Sequence, residues 1–385
     1  MPKGESDMRV GRIVRVLTDS TRKESLSQSN NDRMILVSIF YQVDEEWNPE
    51  HEVYYKDLYA PRQEEFIKRF SDDNEEKRKY LNGIKINTFN NAPITKEDRK
   101  FPVVLFSAGL GMLRDFYMFD IEKLVMEGYI VVTIEHVYDS EFTILPDGTI
   151  IEQAEIFKDL TLEMKEEVIN IRKKDTLFVL DQLTSLNSED KIIKNKMDLD
   201  KIGAIGHSIG AYSLFESFNE DERIKVLVML DGAIQYINLS KKISEGKRLN
   251  KHLLNFKKEL NRYEERMKFF IERNENKLDG ETFKKLIVGQ HHTVIKQEKG
   301  QEQLDQYLEE NYQSFIKLSK TEHLTFSDYF IINPELQDDK MLPIEEAHSI
   351  INNIIVAFLN EHLCKMNKDY TNIINDNKYG ELLKR

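Results

Sequence analysis

At 385 residues the chain is long enough to bury a large core, and 40% hydrophobic against 32% charged residues is ordinary for a globular protein. Fifty-five Lys and Arg against 68 Asp and Glu leave a net charge of −13, which argues against a surface that coats nucleic acid, since that needs a basic stripe to displace counterions. One large domain with an insertion and two separate domains both fit the length.

The opening MPKGESDMRVGRIVRV has no apolar signal core, and the most apolar runs, FPVVLF, YIVVTI and INNIIVAFL, fall far below the ~18 residues of a spanning helix. A cytoplasmic location is the default expectation. Cys364 is alone, so no internal disulfide can form, and its expected role is that of a small buried residue.

In chain order, GRIVRVL and MILVSIFYQV predict two strands joined across a polar loop, the second rich in β-branched and aromatic residues. Lys56 to Leu81 is charged and predicts helix. KFPVVLFSAG and GYIVVTIEHV are nearly continuous apolar runs separated by the helically spaced DFYMFDIEKLVME, which suits strands covered on both faces of a parallel sheet. Helix is expected from about Ile151 to Leu186, then a strand at KIGAI, a helix opening at a serine and a strand at IKVLVML. This alternation predicts a mostly parallel, doubly wound α/β sheet.

After Asp231 the alternation stops. Residues 237–290 predict a helical insertion, in which Leu249, Leu253, Phe256, Leu260, Tyr263, Met267 and Phe270 step by 4 and 3 as an a/d seam. Lys241 to Arg273 holds eleven Lys/Arg and five Asp/Glu, a net of +6. TVIKQE from Thr293 and SFIKL from Ser314 are expected as the last core strands, with PIEEAHSIINNIIVAFLNEHL as a covering helix.

Gly206-His207-Ser208-Ile209-Gly210 fits the G-x-S-x-G nucleophile elbow, which needs a strand before it and a helix after it; both are predicted. Glycines are required because a Cβ at either flank would collide with neighbouring backbone, and the helix amino terminus offers free N–H groups beside a developing anion. The bland reading is a serine in a glycine-rich turn. A neutral hydroxyl also needs a base and an orienting acid, in the chain order Ser, Asp or Glu, His.

Asp231 closes the strand after Ser208 and would emerge at the carboxyl edge of the sheet, where open α/β sheets place their sites; otherwise it merely begins an Asp-Gly turn. His51, His136 and His207 precede the serine, His252 sits in the insertion, and His348 and His362 lie on the terminal helix. His323, in a loop after SFIKL, is the candidate base, against a solvated loop histidine. His291 and His292 lack Cys or acidic ligands at matching spacing, so no metal is expected and the pair reads as surface or lid. The glycine-rich turn in VVLFSAGLGMLR, unless merely flexible, brings backbone close to an acyl oxygen, with Leu110 and Ile209 N–H groups as the oxyanion donors.

PVVLFSAGLGMLR, IEHVYDS, RKKDTLFVLDQL, IGAIGHSIGA, VLVMLDG and KLSKTEHLTFSDY resemble, in the same order, the platelet-activating-factor acetylhydrolases and their bacterial esterase and lipase relatives. The resemblance covers Arg12 to Tyr41 loosely, and Phe101 to Ala233 and Leu318 to Asp328 well. It implies an α/β-hydrolase fold, Ser208 as nucleophile, Asp231 as acid, His323 as base, no calcium and no cofactor, and short or oxidised acyl esters as substrates. Ala108 departs from it, standing where relatives usually carry histidine, and the 237–290 insertion departs from their short connection.

The expectation is a single α/β-hydrolase domain over 1–385 that cleaves small-molecule or lipid carboxylic esters. A thioesterase, deacetylase or polyester-cleaving lipase on the same residues is one alternative. A catalytically silent binding or assembly domain is another. The insertion reads either as a lid whose basic face meets anionic head groups or a membrane surface, or as a seam packed on the body or on a second copy to form a homodimer.

Overall fold

The computed structural model describes residues 8–159, 162–260, 298–309 and 312–384. Its centre is a ten-stranded sheet built from β1 (Val10–Lys23), β2 (Asp32–Gln42), β3 (Thr88–Asn90), β4 (Phe101–Ser107), β5 (Ile130–His136), β6 (Met197–His207), β7 (Ile224–Leu230), β8 (His252–Lys258), β9 (Gln313–Leu318) and β10 (Leu383–Lys384). Across the sheet the order is β10-β9-β8-β7-β6-β4-β5-β2-β1-β3. From β9 to β5 every neighbouring pair is parallel, while β2 joins β5 and β1 joins β2 antiparallel. This is the α/β-hydrolase fold, the class that the strand and helix alternation predicts.

Alternating side chains of the parallel strands feed two separate cores. Val104, Phe106, Val228 and Phe256 face one side, under the helices Met118–Met126 and Ile344–His362. Val103, Leu105, Leu227 and Leu253 face the other, under Leu162–Glu189 and Ile209–Glu220. Both faces are covered, so these strands read as continuous apolar runs; β2 is buried along nearly all its length, whereas β1, next to the edge strand β3, is buried at its start and becomes exposed towards its end.

The helix expected from about Ile151 opens only at Leu162, since Ile150–Glu152 is a strand and Glu155–Asp159 a 3-10 turn, and three larger expectations need correction. The charged stretch from Lys56 is not one helix but a 3-10 turn (Tyr55–Tyr59) and two helices (Gln63–Ser71 and Glu75–Gly83). The helical insertion over 237–290 is overturned in its described first part, 237–260. His252–Lys258 is strand β8, paired between β7 and β9, and the described residues before it hold only a short helix at Ser240–Ser244 and a single 3-10 turn at Ile234–Tyr236. Leu253, Leu254, Asn255 and Phe256 are all buried, so a run apolar on both sheet faces satisfies heptad spacing by being continuous. The basic character is diluted too: Lys251 donates to the carbonyls of Phe218 and Asp221, and Lys257 and Lys258 turn inward onto Asp231. The seam positions Tyr263, Met267 and Phe270, and His291 and His292, lie outside the described residues.

The third correction is TVIKQE: of it only Glu298 is described, and it opens a helix over 298–307, so β8 supplies the strand expected there. Among the described residues no helix is long and apolar enough to cross a membrane.

Candidate active site

Strand β6 ends at His207, and the chain turns directly into the helix Ile209–Glu220 through Ser208, held at φ 56 and ψ −122. That backbone lies in the region L-residues avoid, so the surroundings must fix it. They do: Ser208 N–H donates to Leu230 O (3.0 Å), and Ala233 N–H donates to Ser208 O (3.0 Å). The flanking glycines are needed for space. A Cβ on Gly206 would stand 2.5 Å from Ala211 Cα, and one on Gly210 would stand 2.3 Å from both Ser107 O and Ala108 O.

The next strand, β7, delivers Asp231 at its carboxyl end, also at positive φ (43°), its N–H donating to Phe256 O at 2.7 Å. His323 begins a 3-10 turn (His323–Phe326) soon after β9. Although 92 and 115 residues separate it from its two partners, His323 Nδ1 lies 2.5 Å from Asp231 Oδ2 and His323 Nε2 lies 2.9 Å from Ser208 Oγ. Asp231 is 3% exposed at its side chain and His323 36%, so the acid is sealed while the imidazole edge reaches the surface of the described residues.

Burial would raise the Asp231 carboxyl, but Lys257 and Lys258 outweigh it and, with the His323 hydrogen bond, hold it well below the ordinary carboxylate range. Lys257 Nζ stands 2.8 Å from Oδ1 and Lys258 Nζ 3.4 Å from Oδ2. Asp231 is therefore ionised at neutral pH.

Ile209 directly follows Ser208, and Leu110 directly follows Gly109. Ile209 is the first residue of its helix, so its N–H has no carbonyl one turn back within that helix. The turn at Gly109 passes beside the serine, since a Cβ on Gly109 would stand 3.5 Å from Ser208 Cβ. This turn is clamped by Arg172 of the Leu162–Glu189 helix, which donates to Ala108 O (2.6 Å) and Gly109 O (3.2 Å) and pairs through Nε with Asp139 (2.8 Å). Behind it, Ser107, His136 and Asp175 form a fully buried chain at 3.2 and 3.0 Å, with Asp175 also held by Arg33.

The structure thus brings Ser208, Asp231 and His323 into one hydrogen-bonded row beside Leu110 and Ile209. Sequence reading missed Tyr117, Arg172, Lys257 and Lys258, and it discounted His207 as a base without asking what else it does. A buried arginine on a helix and two lysines closing a strand carry no motif; only His207, inside the elbow itself, was flagged by position. Among the described residues no group of three or more His, Cys, Asp or Glu could hold a metal ion.

Sheet order, elbow and row of side chains together define an α/β-hydrolase. Within that class, the family model for platelet-activating factor acetylhydrolase, isoform II, matches residues 1–381, and the chain belongs to that family. Platelet-activating factor acetylhydrolase of Cavia porcellus is 26% identical over 168 residues, 38% of this chain and 38% of that protein. The probable 1-alkyl-2-acetylglycerophosphocholine esterase of Arthroderma benhamiae is 27% identical over 140 residues, 36% of this chain and 33% of that protein. The aligned stretches thus span little more than a third of these curated relatives. A ferulic acid esterase from Streptomyces cinnamoneus shares the fold, with a TM-score of 0.68, 21% identity, and coverage of 93% of this chain and 91% of that one.

Proposed function

We propose that the protein is a serine-dependent carboxylic ester hydrolase acting on short-chain or lipid-like acyl esters. The observation that carries this reading is His323, whose Nε2 lies 2.9 Å from Ser208 Oγ while Nδ1 lies 2.5 Å from Asp231 Oδ2. The carboxylate accepts from Nδ1–H, so Nε2 is left as the acceptor that a general base needs.

In the proposed cycle Ser208 Oγ attacks the ester carbonyl while its proton passes to His323 Nε2. The oxyanion of the tetrahedral intermediate accepts from the N–H groups of Leu110 and Ile209. The intermediate collapses, the alcohol leaves with the proton from Nε2, and an acyl-Ser208 ester remains. Water, deprotonated by His323, then attacks that ester, and its collapse returns the proton to Ser208 and releases the carboxylic acid. Ionised Asp231 stabilises the imidazolium in both halves.

The substrate class draws its support from family membership and from the names of the two curated relatives, an acetylhydrolase and an acetyl-ester esterase. Purified protein is expected to hydrolyse p-nitrophenyl acetate and butyrate and to label with a fluorophosphonate at Ser208. Ser208→Ala is expected to abolish both. Activity surviving that substitution sinks the assignment, and a series of model esters of increasing acyl length sets the substrate preference.

A further inference from the structure

Gly109 N–H donates to Tyr117 Oη at 2.9 Å, Tyr117 Oη lies 3.0 Å from His207 Nδ1, and His207 Nε2 lies 3.0 Å from the backbone carbonyl of His323. These contacts form one unbroken path from the turn beside Ser208 to the main chain of the base. The two links through Tyr117 are buried and the third, to His323, is partly buried, with Tyr117 0% and His207 1% exposed.

The direction of each hydrogen bond follows from donor and acceptor inventory. The His323 carbonyl can only accept, so His207 Nε2 must carry a proton. Burial first, and the neighbouring His323 second, press the His207 imidazole well below its ordinary value, so the ring is neutral and Nδ1 has only a lone pair. Tyr117 must then donate to Nδ1 and accept from Gly109. Each atom has one role, and none can be reversed without leaving a buried donor or acceptor unpaired.

Each member of the path is also fixed at a strategic place. Tyr117 immediately precedes the helix Met118–Met126, and its ring packs on Phe106, 4.7 Å between centroids. His207 is the last residue of β6 and lies against the His323 ring, 4.5 Å between centroids. Gly109 is gripped at its carbonyl by Arg172 and at its N–H by Tyr117, so both ends of its peptide groups are set.

We infer that Tyr117 and His207 are positioning residues whose directed hydrogen-bond path sets the distance between the oxyanion turn and the backbone of His323, so that the two halves of the site move as one unit. This inference rests on the hydrolase reading above. Neither residue touches the reacting atoms; each acts by holding groups that do. A misplacement of the order of 1 Å at such a turn costs roughly 100-fold in rate, which gives the path a measurable lever.

The test measures p-nitrophenyl butyrate hydrolysis by Tyr117→Phe, His207→Asn and the double variant, each normalised to the amount of Ser208 that a fluorophosphonate titrates. Tyr117→Phe removes one oxygen and keeps the ring in its packing. Normalisation discards any loss that comes only from unfolded protein. Each single variant is expected to lower kcat per titrated serine about 10- to 100-fold, with KM changed less than about threefold. Because the path works as a unit, the double variant should be within about threefold of the slower single. A Tyr117→Phe enzyme with wild-type kcat per site, or a double variant whose losses multiply, overturns the inference while leaving the serine hydrolase reading intact. Wild-type protein with no titratable Ser208 overturns both.

Discussion

Lys257 Nζ lies 2.8 Å from Asp231 Oδ1, while the hydrogen bond it donates runs to the carbonyl of Gly232 at 3.0 Å. One buried ammonium thus neutralises the carboxylate and ties down the turn that carries it. Strand β8 lies next to β7 in parallel register, which sets Lys257 beside Asp231, and Lys258 adds a second cation. The carboxylate is sealed at low cost because its charge is answered on two sides.

Lys257→Met is therefore expected to cost about 3–5 kcal/mol, the range for breaking a buried ion pair on one side. Asp231 is depressed below its ordinary 3.8, so its ionised form contributes stability that is present above about pH 4 and is lost as pH falls through the lower folded value. Without Lys257 the folded value rises toward the ordinary one and that contribution shrinks. Chemical denaturation of both proteins between pH 3 and 7 checks this: the deficit of the variant should be full at neutral pH and should narrow below pH 4. A constant deficit across the range argues that Lys257 supports packing alone.

Arg172 holds Ala108 O and Gly109 O with two nitrogens of one planar fork while its Nε faces Asp139. Lysine can supply charge to Asp139 but not three fixed donors. Arg172→Lys is expected to lower kcat for p-nitrophenyl butyrate by roughly 100-fold through a loosened turn at Gly109, the proposed oxyanion site, with the serine still labelled by fluorophosphonate at a slower rate. Stopped-flow measurement of the acylation burst decides it; an unchanged burst rate would mean that the turn is rigid without its arginine clamp.

Much of this fold was legible because the parallel strands are apolar on both faces and the helices between them have helical spacing. FPVVLFS, YIVVTIEH and IKVLVML each fall where expected, and the chain order Ser208, Asp231, His323 already lay in the sequence. The stretch around β8 was not legible. HLLNFKK ends in two lysines, and only the fold reveals that both cations are drawn inward by Asp231; read alone they belong to a solvated helix face. The path through Tyr117 and His207 was hidden for a different reason. Its linked members are 8, 90 and 116 residues apart and their hydrogen bonds depend on the direction of side chains, about which spacing is silent.

Gly210→Ala tests the space at the elbow. Its Cβ would stand 2.3 Å from two carbonyl oxygens, those of Ser107, which ends β4, and of Ala108, which leads into the turn at Gly109. Neither oxygen is the end of a flexible side chain, so the backbone itself must move. A loss of about 1–3 kcal/mol from overpacking is expected, together with a fall in kcat of at least about 10-fold, because the displaced atoms adjoin Leu110. Thermal melts and p-nitrophenyl acetate turnover on the same sample would show both effects. Loss of stability with full turnover would separate the elbow glycine from the turn at Gly109.

His348, on the Ile344–His362 helix, lies beneath the turn that carries His323 and donates from Nε2 to Thr325 O at 2.9 Å. Burial pushes its imidazole down to about 4, against an ordinary 6.5. The unfolded chain therefore binds a proton between pH 6.5 and 4 that the folded protein refuses, so this residue makes stability rise with pH across that window. At pH 5 the penalty is about 2 kcal/mol, from 1.36 kcal/mol per pH unit. Asp328, raised by burial to about 6, titrates over the same range with the opposite sign, so wild type alone does not isolate either group. His348→Gln keeps an amide donor for Thr325 O and cannot titrate. Its stability relative to wild type is expected to improve by about 2 kcal/mol on going from pH 7.5 to pH 5, whatever packing loss it carries at pH 7.5. Urea unfolding of both proteins at the two pH values gives that difference directly, and an equal deficit at both would mean that His348 carries no proton penalty in the folded protein.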